Sequence, residues 1–160
     1  MGSYIKYHDK ADFQTIKNLL TDCIYLEDSS VELFGYKIYG SPWTIWRLGN
    51  AFQRCEEGFL ASMWKFIPND TEILVTHSPP NGHGDEPIRF PGLRVGCTSL
   101  IDEVHNRIKP LYHIFGHIHE GHGVSKEGTT TFINASSCNK NGDPVNLPVV
   151  FDLPLKISTE

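Results

Sequence analysis

Two short apolar runs, "EILVTH" and "LYHIFGHIH", constrain this chain more than any other feature. Each holds a few branched or aromatic residues and is bounded by Pro, Gly or Asn. That length and composition suit a buried strand rather than a helix. Between them, Val95 to Ile108 reads as a helix with Ile101, Val104 and Ile108 on one face, ended by Pro110. A strand, a helix and a strand place the two runs side by side in one sheet. Each run then delivers imidazole at its carboxyl end, His77 from the first and His117 and His119 from the second. The carboxyl edge is where ligands bind in α/β sheets, so the three histidines are expected at one rim.

The remaining elements frame that pair. Phe13, Ile16, Leu19 and Leu20 predict a helix over 10–20. "CIYLED" reads as a strand, and "SSVELFGYKIYGSPW" as two more joined at Phe34-Gly35. Phe52, Cys55, Phe59, Met63 and Phe66 form a helical stripe stopped by Pro68. Residues 78–94 form a Gly- and Pro-rich loop, long enough to be functional. A hairpin is expected around Lys126-Glu127-Gly128, and "PVVFDLPL" as a last strand. This order predicts a mixed α/β layered fold, and 160 residues suit a single domain.

Charge narrows the function. The net charge is −5, with no face rich in lysine and arginine, which argues against binding nucleic acid through its backbone. A phosphate ligand then needs positive charge from bound metal ions. The four cysteines are widely spaced and form no CxxC pair. No apolar run reaches the length of a membrane span, and "MGSYIKYHDK" has no signal-peptide core. The expectation is a soluble, cytoplasmic protein.

His117 and His119 stand at i and i+2, about 6.6–6.8 Å apart along an extended strand. That is wide for one ion and suits two neighbouring ions about 3.5–4 Å apart, unless a turn alters the spacing. A lone histidine after a strand, such as His77, is more often a surface or hydrogen-bonded residue than a ligand. Two such motifs, each after a buried strand, are harder to attribute to packing. His113 lies inside its apolar run and reads as a core or sheet-face residue, whereas His8 and His105 read as solvated. His83 and His122, in glycine-rich loops, are candidate substrate contacts, and Asp85 or Glu86 candidate assisting ligands.

"VTHSPPNGHGD" and "FGHIHEGHG" resemble the last two motifs of the calcineurin-like metallophosphoesterases. "IYGSPWT", "RVGC", "TTTFINASSC" and "VVFDLP" resemble the branch of metallophosphoesterase domain-containing proteins, so the likeness runs from about Ile5 to Pro154. The resemblance implies a β-sandwich flanked by helices, with a two-metal site at strand ends that hydrolyses phosphoesters. It implies that His77 and His117 bind the second metal and His119 the first, the metal being manganese, iron or zinc. The family's earlier motifs, Asp-x-His, Gly-Asp and Gly-Asn-His, have no match here. "YHDK" offers His8 and Asp9 without the Gly-Asn context. The expectation is therefore the C-terminal part of that fold, lacking its N-terminal strands and holding an incomplete site.

Two functions follow. One is a metal-dependent phosphodiester hydrolase, acting for example on cyclic nucleotides and weak or inactive as an isolated chain. The alternative is a non-catalytic module that binds metal, nucleotide or a partner. Exposed apolar sheet edges also imply association, as a homodimer or with a complementary chain.

Overall fold

The computed structural model of the protein describes residues 15, 17–45, 51–54 and 56–156. His8, Asp9 and most of the helix expected over 10–20 lie outside them. Six strands form one mixed sheet in the order β1-β2-β5-β6-β8-β7. They are β1 (Ser29–Leu33), β2 (Tyr36–Ser41), β5 (Ile73–Thr76), β6 (Tyr112–Phe115), β7 (Gly123–Glu127) and β8 (Thr130–Asn134). The pairs β2–β5, β5–β6 and β6–β8 are parallel, and antiparallel hairpins β1–β2 and β7–β8 close the two edges. The first hairpin turns where expected. Phe34 and Gly35 both have positive φ, 51° and 76°, the geometry that matches strand twist in a two-residue turn. Two further short strands, β3 (Thr44–Ile45) and β4 (Gln53–Arg54), pair separately. The layered α/β class holds. Among the described residues this pair is all there is of a second sheet.

The sheet's faces differ. Tyr39, Leu74, His113, Phe132 and Ser125 are register partners across five strands and share one face. The first four are buried. Against them pack Leu60 and Trp64 of helix α1 (Glu57–Trp64), Leu100 of helix α2 (Thr98–Glu103), and Val104 and Ile108 of the π-helical turn that continues it (Val104–Ile108). Burying each such side chain contributes roughly 1.5–3 kcal/mol. The opposite row, Gly40, Val75, Ile114, Ile133 and Val124, leaves Val75 and Val124 37% and 58% exposed. The C-terminal segment crosses part of this face: Phe151 stacks on Tyr112 at 4.4 Å, and the Tyr36 hydroxyl donates to the Pro154 carbonyl at 2.6 Å.

Four elements depart from the sequence reading. "CIYLED" forms no strand, and its Leu26 side chain instead covers Gly40. "PVVFDLPL" also forms no strand, and docks through the aromatic and carbonyl contacts just described. The α1 stripe is rotated: Leu60, Trp64 and Ile67 are buried while Phe66 is 67% exposed. Leu60, Trp64 and Ile67 also repeat at helical spacing, and the indole N–H donates to Cys97 Sγ at 3.3 Å. The second hairpin turns one residue later, at Gly128-Thr129, with Gly128 at φ +56°.

His113 is a core residue, as its place in an apolar run implied. Thr76 donates its hydroxyl to the Ser78 carbonyl at 2.8 Å, so its remaining capacity is as acceptor, and His113 Nε2–H donates to it at 2.9 Å. Nδ1 then has a lone pair and no protein partner. Burial, helped by nearby His83, pushes the His113 pKa down from 6.5 to about 3. Burial disfavours the charged form, so between those values the unfolded chain binds more protons than the folded one. Stability is complete above about pH 6.5 and falls towards pH 3, by about 1.4 kcal/mol per unit from this group alone. His77 and His117, also shifted down, act in the same direction. In urea titrations from pH 7 to 4, His113→Gln should therefore lose less stability than the parent chain. Equal losses would remove His113 from this role.

Candidate metal centre

The parallel pairing of β5 and β6 runs past both strand ends. Gly116 N–H donates to the His77 carbonyl at 3.1 Å, which places the residue after Gly116 beside His77. His117 Nδ1 lies 3.1 Å from His77 Nε2, with ring centroids 4.9 Å apart. The two apolar runs thus bring these two imidazoles together at the carboxyl rim.

His117 and His119 do not share an extended strand. β6 stops at Phe115, and Ile118 N–H donates back to the Gly116 carbonyl at 2.8 Å. This closes a γ-turn around His117, whose φ is +68°. A γ-turn with positive φ is rare and strained, and strained backbone of this kind clusters at functional sites. The turn replaces the i, i+2 spacing. His119 instead begins a 3₁₀ turn (His119–Gly121), and its Nδ1 lies 2.9 Å from the Asn139 carbonyl. Nδ1–H donates there, leaving the Nε2 lone pair free of that bond. Metal-ligating histidines characteristically donate their second nitrogen to a carbonyl or carboxylate in this way.

The donor chemistry fits a cation. Burial first, then His77 and His119, lower the His117 pKa to about 4, and burial lowers that of His77. Both rings are neutral at pH 7, the form that binds metal. Bonds of about 2.0–2.1 Å to one tetrahedral ion set nitrogens about 3.3–3.4 Å apart, close to the 3.1 Å observed.

The other candidates lie in different settings. His122 Nε2 is 3.1 Å from the Leu147 carbonyl. His83 is buried, its ring stacked on Phe132 at 3.6 Å, with Nδ1 2.9 Å from Ser125 Oγ and Nε2 3.0 Å from Glu127 Oε2. His105, expected to be solvated, is 38% exposed and reaches the same carboxylate at 3.6 Å. Asp85 is not an assisting ligand. Fully buried, it accepts from Arg94 Nη1 at 2.8 Å and from the Gly82 and Gly96 amides at 3.0 and 3.1 Å, and so ties the ends of the long loop. The Glu86 carboxylate accepts from the Gly92 amide.

Sequence reasoning missed Asn134. Buried at the end of β8, it donates Nδ2 to the Gly84 and Ile118 carbonyls at 2.9 and 2.8 Å, and its Oδ1 accepts from the Ser136 amide at 3.1 Å. One side chain therefore joins the long loop to the turn bearing His117 and His119. The signal was "FINAS", an asparagine closing an apolar strand.

Gly84 and Gly121 make the same junction by contact. A Cβ on Gly121 would stand 2.0 Å from the Gly84 carbonyl oxygen. Gly121→Ala should cost roughly 1–3 kcal/mol, in the range of overpacking, read as a lower urea midpoint. Gly58→Ala is the control, because a helical Cβ there meets nothing within 4 Å and should stabilise by about 0.5–1 kcal/mol. Equal midpoints for both variants would show that the junction does not hold the site.

No family model matches the chain. It is 47% identical over 144 residues to metallophosphoesterase domain-containing protein 1 of Homo sapiens, covering 89% of this chain and 44% of that protein. It is 46% identical over 144 residues to UPF0046 protein T07D4.2 of Caenorhabditis elegans, covering 90% and 36%. The chain thus spans less than half the length of these curated relatives. A crystal structure of 18% identity superposes on 69% of this chain and 45% of its own with a TM-score of 0.51, a likeness of fold alone. Among the described residues no helix is long and apolar enough to cross a membrane. The chain is a homologue of the metallophosphoesterase domain-containing proteins and matches them over less than half of their length.

Proposed function

We propose that the chain is the metal-binding C-terminal part of a phosphodiester hydrolase, with His77 and His117 holding one divalent ion and His119 Nε2 a neighbouring position. The observation that carries this reading is the 3.1 Å contact between His117 Nδ1 and His77 Nε2. When bound, a manganese, iron or zinc ion supplies charge neutralisation for phosphoryl oxygens and lowers the pKa of water. The protein holds the His77 and His117 imidazoles neutral by burial, orients His119 through Asn139 and fixes His117 at the γ-turn.

A cleft of about 460 Å³ adjoins His77, walled by Ile24, Leu26, Pro42, Phe52 and Val75. Its size and its apolar wall suit an organic group attached to the phosphate, such as a nucleoside. His83 and His122 are better matched to loop positioning than to substrate contact, given their protein partners. With three imidazoles as its proposed ligands, turnover by this chain alone is expected to be weak. The cytoplasm is the proposed location.

Purified chain with added manganese is expected to hydrolyse bis-p-nitrophenyl phosphate slowly, with His117→Ala reducing the rate at least about tenfold, as ligand-shell changes do. Metal bound without turnover favours the non-catalytic alternative, a metal- or nucleotide-binding module. No metal bound at His77 and His117 refutes both.

The partly bare sheet face bearing Val75 and Val124 supports association, with a second copy or a complementary chain. Light scattering after size exclusion should give a mass above the 18.1 kDa of one chain. A monomer across the micromolar range, which no added partner shifts, overturns this.

A further inference from the structure

Three residues spaced by 22 positions in the sequence, His83, His105 and Glu127, come together on the helix-covered side of the sheet. Their donor atoms all lie within 4.8 Å of one another. His83 Nε2 and His105 Nε2 stand 3.0 and 3.6 Å from the same Glu127 oxygen. These values bracket the ligand–ligand separation of about 3.3–3.4 Å that a tetrahedral ion with bonds near 2.0–2.1 Å requires. We propose that this group is a second divalent transition-metal site, of zinc type, separate in its ligands from the His77–His117–His119 rim.

Each ligand is held by its own element. His83 comes from the long loop and is clamped in plane: its ring lies parallel to Phe132, with an interplanar angle of 6°. His105 projects from the π-helical turn (Val104–Ile108) and meets the edge of the same phenyl ring. Single π-helical turns occur disproportionately at functional sites. Glu127 ends β7, just before the hairpin turn. The second coordination sphere is also present. His83 Nδ1 is 2.9 Å from Ser125 Oγ, and Ser125 is the register partner of Phe132.

The hydroxyl lets the histidine serve with and without metal. Without an ion, His83 Nε2–H donates to Glu127, and Ser125 O–H donates to Nδ1. On binding, the proton leaves Nε2 and Nδ1 gains one, so Nδ1–H donates to Ser125 Oγ while the Nε2 lone pair meets the cation. The imidazole stays neutral throughout, and no net proton is taken up or released by this step. Glu127 supplies one negative charge, and buried Asp85 adds field at His83, although Arg94 pairs with it. Lys109 lines the adjoining cleft of about 430 Å³ with His105 and Glu127. The cleft leaves a fourth coordination position open to water. Two imidazoles and one carboxylate select zinc, cobalt or nickel over magnesium or calcium. Bound there, an ion ties the long loop, the second helix and the β7–β8 hairpin together.

The test uses the full chain and zinc or cobalt alone. Cobalt(II) titrated into His77→Ala/His117→Ala is expected to bind one equivalent, with visible absorption of tetrahedral type. Adding Glu127→Gln or His105→Ala, both at exposed positions, should weaken it at least about tenfold. Zinc should raise the melting temperature of His77→Ala/His117→Ala and not of the further variants. In the unsubstituted chain, zinc should shift the ring-nitrogen resonances of His83 and His105. Unmoved resonances, or equal cobalt binding after Glu127→Gln, overturn the proposal. Because the rim ligands are absent from the titrated variant, neither result depends on how the phosphoesterase reading fares.

Discussion

Everything at the rim depends on the parallel pairing of β5 with β6. It aligns Ile73 with Tyr112 and carries on past the strands to the His77–Gly116 bond. Shifting the register by one residue would turn each side chain to the other face. Slipping β5 in this way would bury Val75 against the helices, expel Leu74 and turn His77 away from His117. Leu74 and His113 are completely buried, so the core itself enforces the register. The site thus inherits its precision from apolar packing several residues away, and His113 sets it from inside by its bond to Thr76, the residue before His77.

That dependence explains what was legible in the sequence. The strands "ILVT" and "YHIF" were visible because both are apolar, short and bounded by breakers, and their order fixed the shared rim. The hairpin at Phe34-Gly35 was visible because glycine beside a strand-like run marks a turn. The γ-turn at His117 was not. A non-glycine residue at φ +68° is set by the tertiary frame, through Ile118 burial and the Asn134 bond to the Ile118 carbonyl. The phase of α1 was misread because Phe59, Met63 and Phe66 and the set Leu60, Trp64 and Ile67 fit helical spacing equally well. Only the packing against Tyr39 and Leu74 selects between them.

The loop before α2 shows a second limit. Its carboxylates looked available because they lie within a glycine-rich segment near the histidines. Asp85 instead satisfies two backbone amides and an arginine in a fully buried position, where an unpaired charge is not tolerated. Glycine at 84 and 121 follows from the same crowding, since the two backbones meet where no Cβ fits. The long Gly- and Pro-rich loop is pinned, and its pinning orients His83 towards Phe132 rather than towards His77.

The electrostatics close the argument. Burial keeps His77 and His117 neutral at the rim, Arg94 is paired with Asp85, and the chain carries a net charge of −5. A phosphoester approaching His77 and His117 meets neutral rings rather than cations. Under the proposed function, cation binding must therefore precede substrate binding, and affinity for phosphate becomes a property of the loaded site. The fold prepares for that order by keeping His77 and His117 deprotonated through burial. Protonation of His117, which would repel the cation, is suppressed until about pH 4, and burial shifts His77 in the same direction.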